Sequence, residues 1–345
     1  MASVDAVNLP LIAILGPTAV GKTAIAIRLC RDFDGEIISA DSRQTYRGLD
    51  IGTAKPTPQE QAAAVHHLID VVDPDQTLGL AEYQELAYAA INDVLARKRV
   101  PFLVGGTGQW VRAVIEGWRV PHVPPDAALR AELEAEAACA GSQALHARLA
   151  AVDPKAAAKI DYRNVRRVIR ALEVYLKTGT PITEQQRVQL PPYRTLQIGL
   201  TMPRKMLYAR IDARVDRMLA DGLVDEVKRL VAHGYGLELP AMSGLGYRQI
   251  GQHLAGETSP DEAAHLIKKE TRRFVRQQYT WFRLDDPAIH WFDVSRDDYD
   301  ALRQVVAEFL GADQPRDIES SAFVCGHPRP TQTSTKRRNC EWISI

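Results

Sequence analysis

An unbroken apolar run, Leu11-Ile12-Ala13-Ile14-Leu15, leads directly into Gly16-Pro17-Thr18-Ala19-Val20-Gly21-Lys22-Thr23. The run lacks polar alternation, the pattern of a parallel strand buried on both faces. The eight residues after it fit G-x-x-x-x-G-K-[ST] in full, and residues 22–33 follow with helical spacing. Strand, glycine-rich turn and helix together form a phosphate loop. Its glycines let the backbone wrap so that N–H groups converge on phosphate oxygens, and the helix N-terminus adds partial positive charge. Lys22 supplies a point charge, and Thr23 a hydroxyl for Mg²⁺. Such a loop specifies a polyphosphate without specifying its ester.

The rest of the chain reads around that unit. Strands are expected at 36–39, 67–72, 101–105, 196–200 and 289–294, and helices at 81–98, 203–233 and 261–283. Strands alternating with helices mean βαβ units and a parallel sheet. Prolines at 121, 124 and 125 mark a boundary, and residues 126–178 are rich in Ala, Glu, Arg and Leu with helical spacing, closed by Pro191-Pro192. The expected fold class is therefore α/β, a P-loop NTPase-like parallel-sheet core (1–117 and 196–312) with an all-helical insertion (118–195). Residues 313–345 are polar and irregular and read as a flexible tail. A length of 345 residues suits this two-part plan at about 100–200 residues per domain.

Net charge is zero, with 43 basic and 43 acidic groups, which argues against a nucleic-acid partner only if charge is spread evenly. It is not. Residues 1–115 carry net −3 and residues 116–195 net +3, and from Lys268 to Arg283 six basic groups face a single acid, Glu270. Arg163, Arg166, Arg167 and Arg170 fall at i, i+3, i+4 and i+7, one face of a helix with only Glu173 nearby. Lys268, Lys269, Arg272, Arg273, Arg276 and Arg283 are interleaved with Phe274, Tyr279, Trp281 and Phe282. These stripes fit a phosphate track, with the aromatics either in the core or stacking on bases. Four cysteines (Cys30, Cys139, Cys325, Cys340) form no C-x-x-C pair, so a reducing cytoplasm is expected. No signal sequence and no run of about 18 apolar residues is present, so no membrane span is expected.

Two more turns follow predicted strands. Asp41 opens the segment D-S-R-Q-T-Y-R-G-L-D-I-G-T-A-K-P at the carboxyl end of strand 36–39, the sheet edge where ligands bind. It reads equally as a metal-binding or proton-accepting carboxylate and as a helix N-cap. Asp70 and Asp73 are further metal candidates. Thr107, in Gly105-Gly106-Thr107-Gly108-Gln109-Trp110, sits at the same edge with a hydroxyl able to donate to a leaving group.

GPTAVGKT, DSRQTYRGLDIGTAKP, LVGGTGQW, RRVIRALEVYLKTGTPIT and AMSGLGYRQ, in this order over residues 11–310, resemble the tRNA dimethylallyltransferase (tRNA isopentenyltransferase) family. The resemblance implies transfer of a dimethylallyl group from dimethylallyl diphosphate to N6 of adenosine 37 in tRNAs reading codons that start with U. It implies that the phosphate loop holds the donor diphosphate, with Mg²⁺ on Thr23. Asp41 would be the general base and Thr107 the donor to the bridging oxygen. Asp41, Ser42, Arg43, Gln44, Thr107, Arg130, Arg166, Arg167, Val168, Ile169, Arg170, Ser243, Gly244, Leu245, Gly246, Tyr247 and Arg248 match tRNA-contacting positions. Arg210 and Arg214, in a family-like R-I-x-x-R pattern, reach toward the diphosphate. A base inside an anticodon loop must be extruded to react, so a channel with two mouths is expected, in an enzyme taken by default as a monomer. Trp110 stands where the family has tyrosine and would wall the prenyl channel. Some family members end in a zinc finger, but Cys325, His327 and Cys340 lack the ligand spacing for one. Two rivals stay open: a P-loop kinase acting on a small acceptor, and a related prenyltransferase acting on free adenine nucleotides.

Overall fold

The computed structural model describes residues 9–185, 187–296 and 299–311. The tail 313–345, with Cys325, His327, Cys340 and the basic run 336–338, lies outside the described residues.

The core unit holds residues 1–124 and 187–306. Its strands are β1 (Leu9–Leu15), β2 (Gly35–Ser39), β3 (His66–His67), β4 (Val100–Gly105), β5 (Trp118–Arg119), β6 (Arg187–Val188), β7 (Tyr193–Thr201) and β8 (Ile289–Asp293). Six of them form a wholly parallel sheet in the order β3-β2-β4-β1-β7-β8. β1 is central because it can afford to be: Leu11 to Leu15 are all fully buried and pair β4 on one side and β7 on the other. The chain builds leftward from β1 to β4 and then crosses to β7, so the order reverses at β1. Such a reversal leaves a crevice at the carboxyl ends of the strands, here the ends of β2, β4 and β1.

Helices α1 (Lys22–Asp32), α2 (Pro58–Ala63), α3 (Leu80–Ala96) and α4 (Gly108–Glu116) follow the early strands. The strand expected at 67–72 is cut to His66–His67 because Leu68 and Asp70 take left-handed φ values of 64° and 54°. Those kinks turn Asp70 back onto Lys55 Nζ, at 2.5 Å, while Asp73 pairs with Arg47 at 3.0 Å. Both carboxylates are thus spent on ion pairs and are not metal ligands.

Among the described residues, the helical unit comprises 125–185 together with 307–311. It is narrower than the 118–195 read from the sequence. β5 pairs antiparallel with β6 in a two-stranded sheet of their own, and β7 already begins at Tyr193, so both flanks fall in the core unit. The unit is built from α5 (Ala127–Ala140), α6 (Ser142–Val152), α7 (Pro154–Ala157), α8 (Val165–Thr178) and α9 (Ile182–Gln185). Asn164 caps α8 by accepting the Arg167 N–H at 3.4 Å. Arg163 therefore lies outside the helix, paired with Asp161, and the four-arginine face shrinks to Arg166, Arg167 and Arg170. The fully buried Glu173 joins Arg130 and Arg170, each at 2.7 Å, and accepts the Asp126 N–H at 2.8 Å.

The core unit closes with α10 (Arg204–Ala220), α11 (Leu223–Ala232), α12 (Tyr247–Leu254) and α13 (Pro260–Trp281), while α14 (Tyr299–Gly311) ends the described chain. α13 starts with a full capping box: Ser259 Oγ accepts from Glu262 N, Glu262 accepts from Ser259 N, and Pro260 occupies the first turn.

Candidate active site

The three loops leaving β1, β2 and β4 meet in a cavity of about 500 Å³. Its lining includes Thr18 and Lys22 of the phosphate loop, Asp41, Ser42, Arg43, Thr107, Arg214 of α10, residues 243–247 and the inner face of α13. Thr18, Asp41 and Thr107 converge because all three turns leave the same edge of the sheet, and α10, residues 243–247 and α13 close over them.

The phosphate loop is shaped by its first glycine. Gly16 has φ 141°, and a Cβ there would collide with the Leu200 carbonyl of β7. Lys22 Nζ donates to the Gly16 and Pro17 carbonyls at 2.9 and 2.8 Å. Burial lowers its pKa to about 8; the Asp41 carboxylate opposes that shift and Arg214 adds to it. Arg214 Nη1 donates to Thr18 Oγ1 at 3.0 Å, and Arg210 reaches the Val20 carbonyl at 3.3 Å. The arginine pair thus comes to the phosphate loop, as the resemblance implied. On the far side Gln278 of α13 accepts the Thr18 N–H at 2.9 Å.

Asp41 caps no helix. Its Oδ1 accepts the Arg43 N–H at 2.9 Å and fixes a turn over residues 42–45. The next residue is tied to the third loop: the Ser42 N–H donates to Thr107 Oγ1 at 3.1 Å. The Thr107 hydroxyl in turn donates to Ser42 Oγ at 3.5 Å, a long bond that a closer acceptor in the cavity would displace. Arg43 crosses to the 240–243 segment, donating to the Pro240 carbonyl at 2.8 Å. Gln44 turns away from the cavity, with Nε2 on the Ala54 carbonyl at 3.2 Å.

A smaller recess of about 40 Å³ is bordered by Lys22, Thr23, Ser39, Asp41, Gln44 and His66. His66 Nδ1 meets the Ala64 carbonyl at 2.8 Å, while its Nε2 is buried without a partner. The Thr23 hydroxyl and the Asp41 carboxylate are hard oxygen donors of the kind Mg²⁺ prefers. Among the described residues no group of three or more His, Cys, Asp or Glu side chains is placed to hold a metal. The protein could therefore offer a divalent ion only one or two oxygens, with phosphate and water supplying the rest.

Several expected residues stand elsewhere. Trp110 is stacked on Tyr83 with ring centroids 3.8 Å apart, inside the core; the aromatics that line the cavity are Tyr247, Phe274 and Trp281. Val168 and Ile169 are buried in the helical unit, so their side chains serve packing, whereas Arg166 is exposed. Arg130 is engaged by Glu173. Arg248 is exposed on α12, outside the cavity lining. Half of the α13 basic stripe is neutralised: Lys268 pairs with Asp216 at 2.5 Å, Arg272 with Asp212, and Arg283 with Asp285. Lys269, Arg273 and Arg276 remain exposed.

Two residues with no motif hold the site together. Glu226 of α11, buried, accepts the N–H groups of Asp50, Ile51 and Gly52 at 3.2, 2.8 and 3.2 Å and the Tyr247 hydroxyl at 2.6 Å. Gln278 is the other. Both lie on apolar helix faces: Leu223, Glu226, Val227 and Leu230 follow i, i+3, i+4, i+7, and a polar residue on such a face is a visible signal.

The IPP transferase family matches residues 44–285, and the isopentenyl transferase family matches residues 9–73. A tRNA dimethylallyltransferase of Roseiflexus sp. (strain RS-1) is 60% identical over 275 residues, covering 80% of this chain and 90% of that protein. One from Thermomicrobium roseum is 51% identical over 302 residues, covering 87% of this chain and 92% of that protein. The crystal structure of the tRNA isopentenylpyrophosphate transferase of Bacillus halodurans superimposes with a TM-score of 0.65 at 42% identity, covering 88% of this chain and 97% of that one. A eukaryotic dimethylallyltransferase acting on tRNA gives a TM-score of 0.74 at 26% identity, covering 90% of this chain and 81% of that one. With a parallel sheet, a phosphate loop and a family match over most of its length, the chain belongs to the IPP transferase family.

Proposed function

We propose that this chain is a tRNA dimethylallyltransferase, moving the dimethylallyl group of dimethylallyl diphosphate to N6 of adenosine 37 in tRNAs that read codons starting with U. The observation that carries the reading is the tie between the Asp41 loop and the Thr107 loop, made through Ser42. Two loops leaving neighbouring strands are stitched at Ser42 N–H to Thr107 Oγ1, 3.1 Å, in one cavity with Lys22. This shared cavity supports a reading in which Asp41 is the proton acceptor and Thr107 the leaving-group donor.

Adenine N6 is a poor nucleophile because its lone pair is delocalised into the ring. Asp41 accepts the N6 proton as the C–N bond forms, an effect worth about 10²–10⁴-fold. As the C–O bond breaks, its electrons pass to the diphosphate, and Thr107 donates to the bridging oxygen. Lys22 and Arg214 neutralise the departing charge, which in a partly closed cavity counts for more than in water. Mg²⁺, held by Thr23 and bordered by Asp41, would supply further neutralisation of the diphosphate. The remaining phosphate-loop residues, Gly16, Pro17, Ala19, Val20 and Gly21, act through their backbone.

The tRNA stem-loop docks on Arg166, Arg167 and Arg170, on Ser42 and Arg43, on residues 243–248 and on the exposed basic groups of α13. In this reading a P-loop-type core carries an inserted helical RNA-binding domain, and the enzyme works in the cytoplasm as a monomer. No helix among the described residues is long and apolar enough to cross a membrane.

The test supplies labelled dimethylallyl diphosphate with unmodified tRNA and, separately, with AMP. Label in tRNA is expected; label only in AMP would establish the free-nucleotide prenyltransferase instead. Asp41→Asn should bind tRNA normally and lose about 10²–10⁴-fold in single-turnover rate. Full activity in that variant rejects Asp41 as the base.

A further inference from the structure

The sheet register aligns β1 with β4 as far as Leu15 and Gly105. Beyond those residues the phosphate loop and the Gly106–Thr107 turn are linked by one side chain. Gln278 is 3% exposed. Its Oε1 accepts the Thr18 N–H at 2.9 Å, and its Nε2 donates to the Gly106 carbonyl at 3.0 Å. A primary amide is one planar group that can accept from one backbone and donate to another. Glutamate in its ionised form could only accept, and would set a negative oxygen against the Gly106 carbonyl. Leucine could do neither.

The surroundings are built for this amide. A Cβ on Gly106 would collide with Gln278 Nε2, so the glycine is required by the approach of the amide as well as by the turn. Three residues on, Trp281 packs against Gly108 with the same closeness. Thr18 is gripped from its other side by Arg214 at 3.0 Å. The position of the phosphate loop relative to Thr107 is thus set by α13.

We propose that Gln278 is a positioning residue that fixes the separation between the diphosphate-binding loop and the Thr107 hydroxyl. This rests on the prenyl-transfer reading for its effect on rate, but its effect on diphosphate binding stands apart from it. Misplacement of reacting groups by about 1 Å can cost on the order of 10²-fold in rate. Loss of the bridge should therefore lower kcat and weaken binding of the diphosphate group while leaving the KM for tRNA unchanged.

The experiment uses the full chain with Gln278→Leu and Gln278→Glu. Inorganic pyrophosphate binding is measured by calorimetry, kcat and both KM values by label transfer to tRNA, and folding by thermal unfolding. Gln278→Leu should lose about 10–100-fold in kcat and bind pyrophosphate more weakly, with tRNA KM within about twofold. Gln278→Glu supplies the decisive readout. A protonated carboxyl has one donor and one acceptor, like the amide, and a buried glutamate protonates at unusually high pH. Its activity relative to wild type should rise as pH falls from 8 to 6. The proposal fails if Gln278→Leu keeps wild-type kcat and pyrophosphate affinity. It also fails if its defect lies only in tRNA KM, or if the Gln278→Glu ratio is flat with pH. Wild-type protein that binds pyrophosphate but labels no tRNA would overturn the functional reading and leave the binding arm of this test standing.

Discussion

Glu226→Ala removes a carboxyl group that four donors share. Oε2 accepts from Asp50 N and Ile51 N, and Oε1 from Gly52 N and Tyr247 Oη. Each buried donor left without a partner costs about 1–3 kcal/mol. Residues 50–52 are partly exposed and can relax toward water, so the lower end applies to the three N–H groups. Tyr247 is 1% exposed and cannot. Its phenol is also held well above the usual tyrosine range by burial and by Glu226, so it stays a donor seeking an acceptor. The sum is about 4–6 kcal/mol, a large share of a typical folding stability of about 5–15 kcal/mol. At about 2–4 °C per kcal/mol for a unit of this size, thermal unfolding followed by circular dichroism should drop by about 10–20 °C. Gly52, residues 243–247 and Tyr247 itself line the cavity. Assayed well below its melting point, the variant should therefore also show a raised KM for tRNA. Tyr247→Phe deletes one donor and should cost only about 1 kcal/mol. A Glu226→Ala protein melting within 2 °C of wild type, with normal KM, would refute the view that this carboxyl organises the acceptor side.

Three further outcomes are expected. Lys22 has a folded pKa of about 8 against an ordinary 10.5, so its ammonium is lost above pH 8. Pyrophosphate affinity measured by calorimetry should fall by up to tenfold per pH unit there, and Lys22→Arg should flatten the profile. Glu36, fully buried beneath Arg97, His67 and Arg99, has its pKa lowered to about 2, chiefly by the Arg97 hydrogen bonds against the opposing effect of burial. A depressed carboxyl stabilises above its unfolded value of 4.5 and loses that contribution as pH falls toward 2, so acid unfolding should be shallower over this window in Glu36→Gln. Lys269→Ala and Arg276→Ala, both at exposed positions of α13, should each reduce the slope of log K for tRNA against log salt by about 1, read from filter binding across salt concentrations.

What the sequence made legible was local. The phosphate loop, the apolar strands and the Asp41 and Thr107 turns carry their meaning within a few residues, because a strand followed by glycines leaves few folds open. The errors came from partners that helical or strand spacing alone does not name, some of them far away in the chain. The 268–283 stripe looked like six charges facing a single acid, Glu270, yet Asp212 and Asp216 of α10 neutralise two of them from more than fifty residues upstream. Arg163 matched a helical face until Asn164 took the cap. The strand at 67–72 had the right composition, but left-handed φ at Leu68 and Asp70 ended it and turned Asp70 onto Lys55. Glu226 and Gln278 were detectable as polar residues on apolar faces, though only the fold says what they hold.

Thr18 and Gln278 lie 260 positions apart. On a ribosome adding about 5–20 residues per second, the phosphate loop waits about 10–50 s for the amide that holds its N–H. Contacts of such sequence separation close late in folding. The newborn core therefore passes through a stage in which β1 and its loop exist without α13. Assembly of the site then reports that synthesis has passed α13, so a product cut short before that helix has a phosphate loop but no finished place to use it.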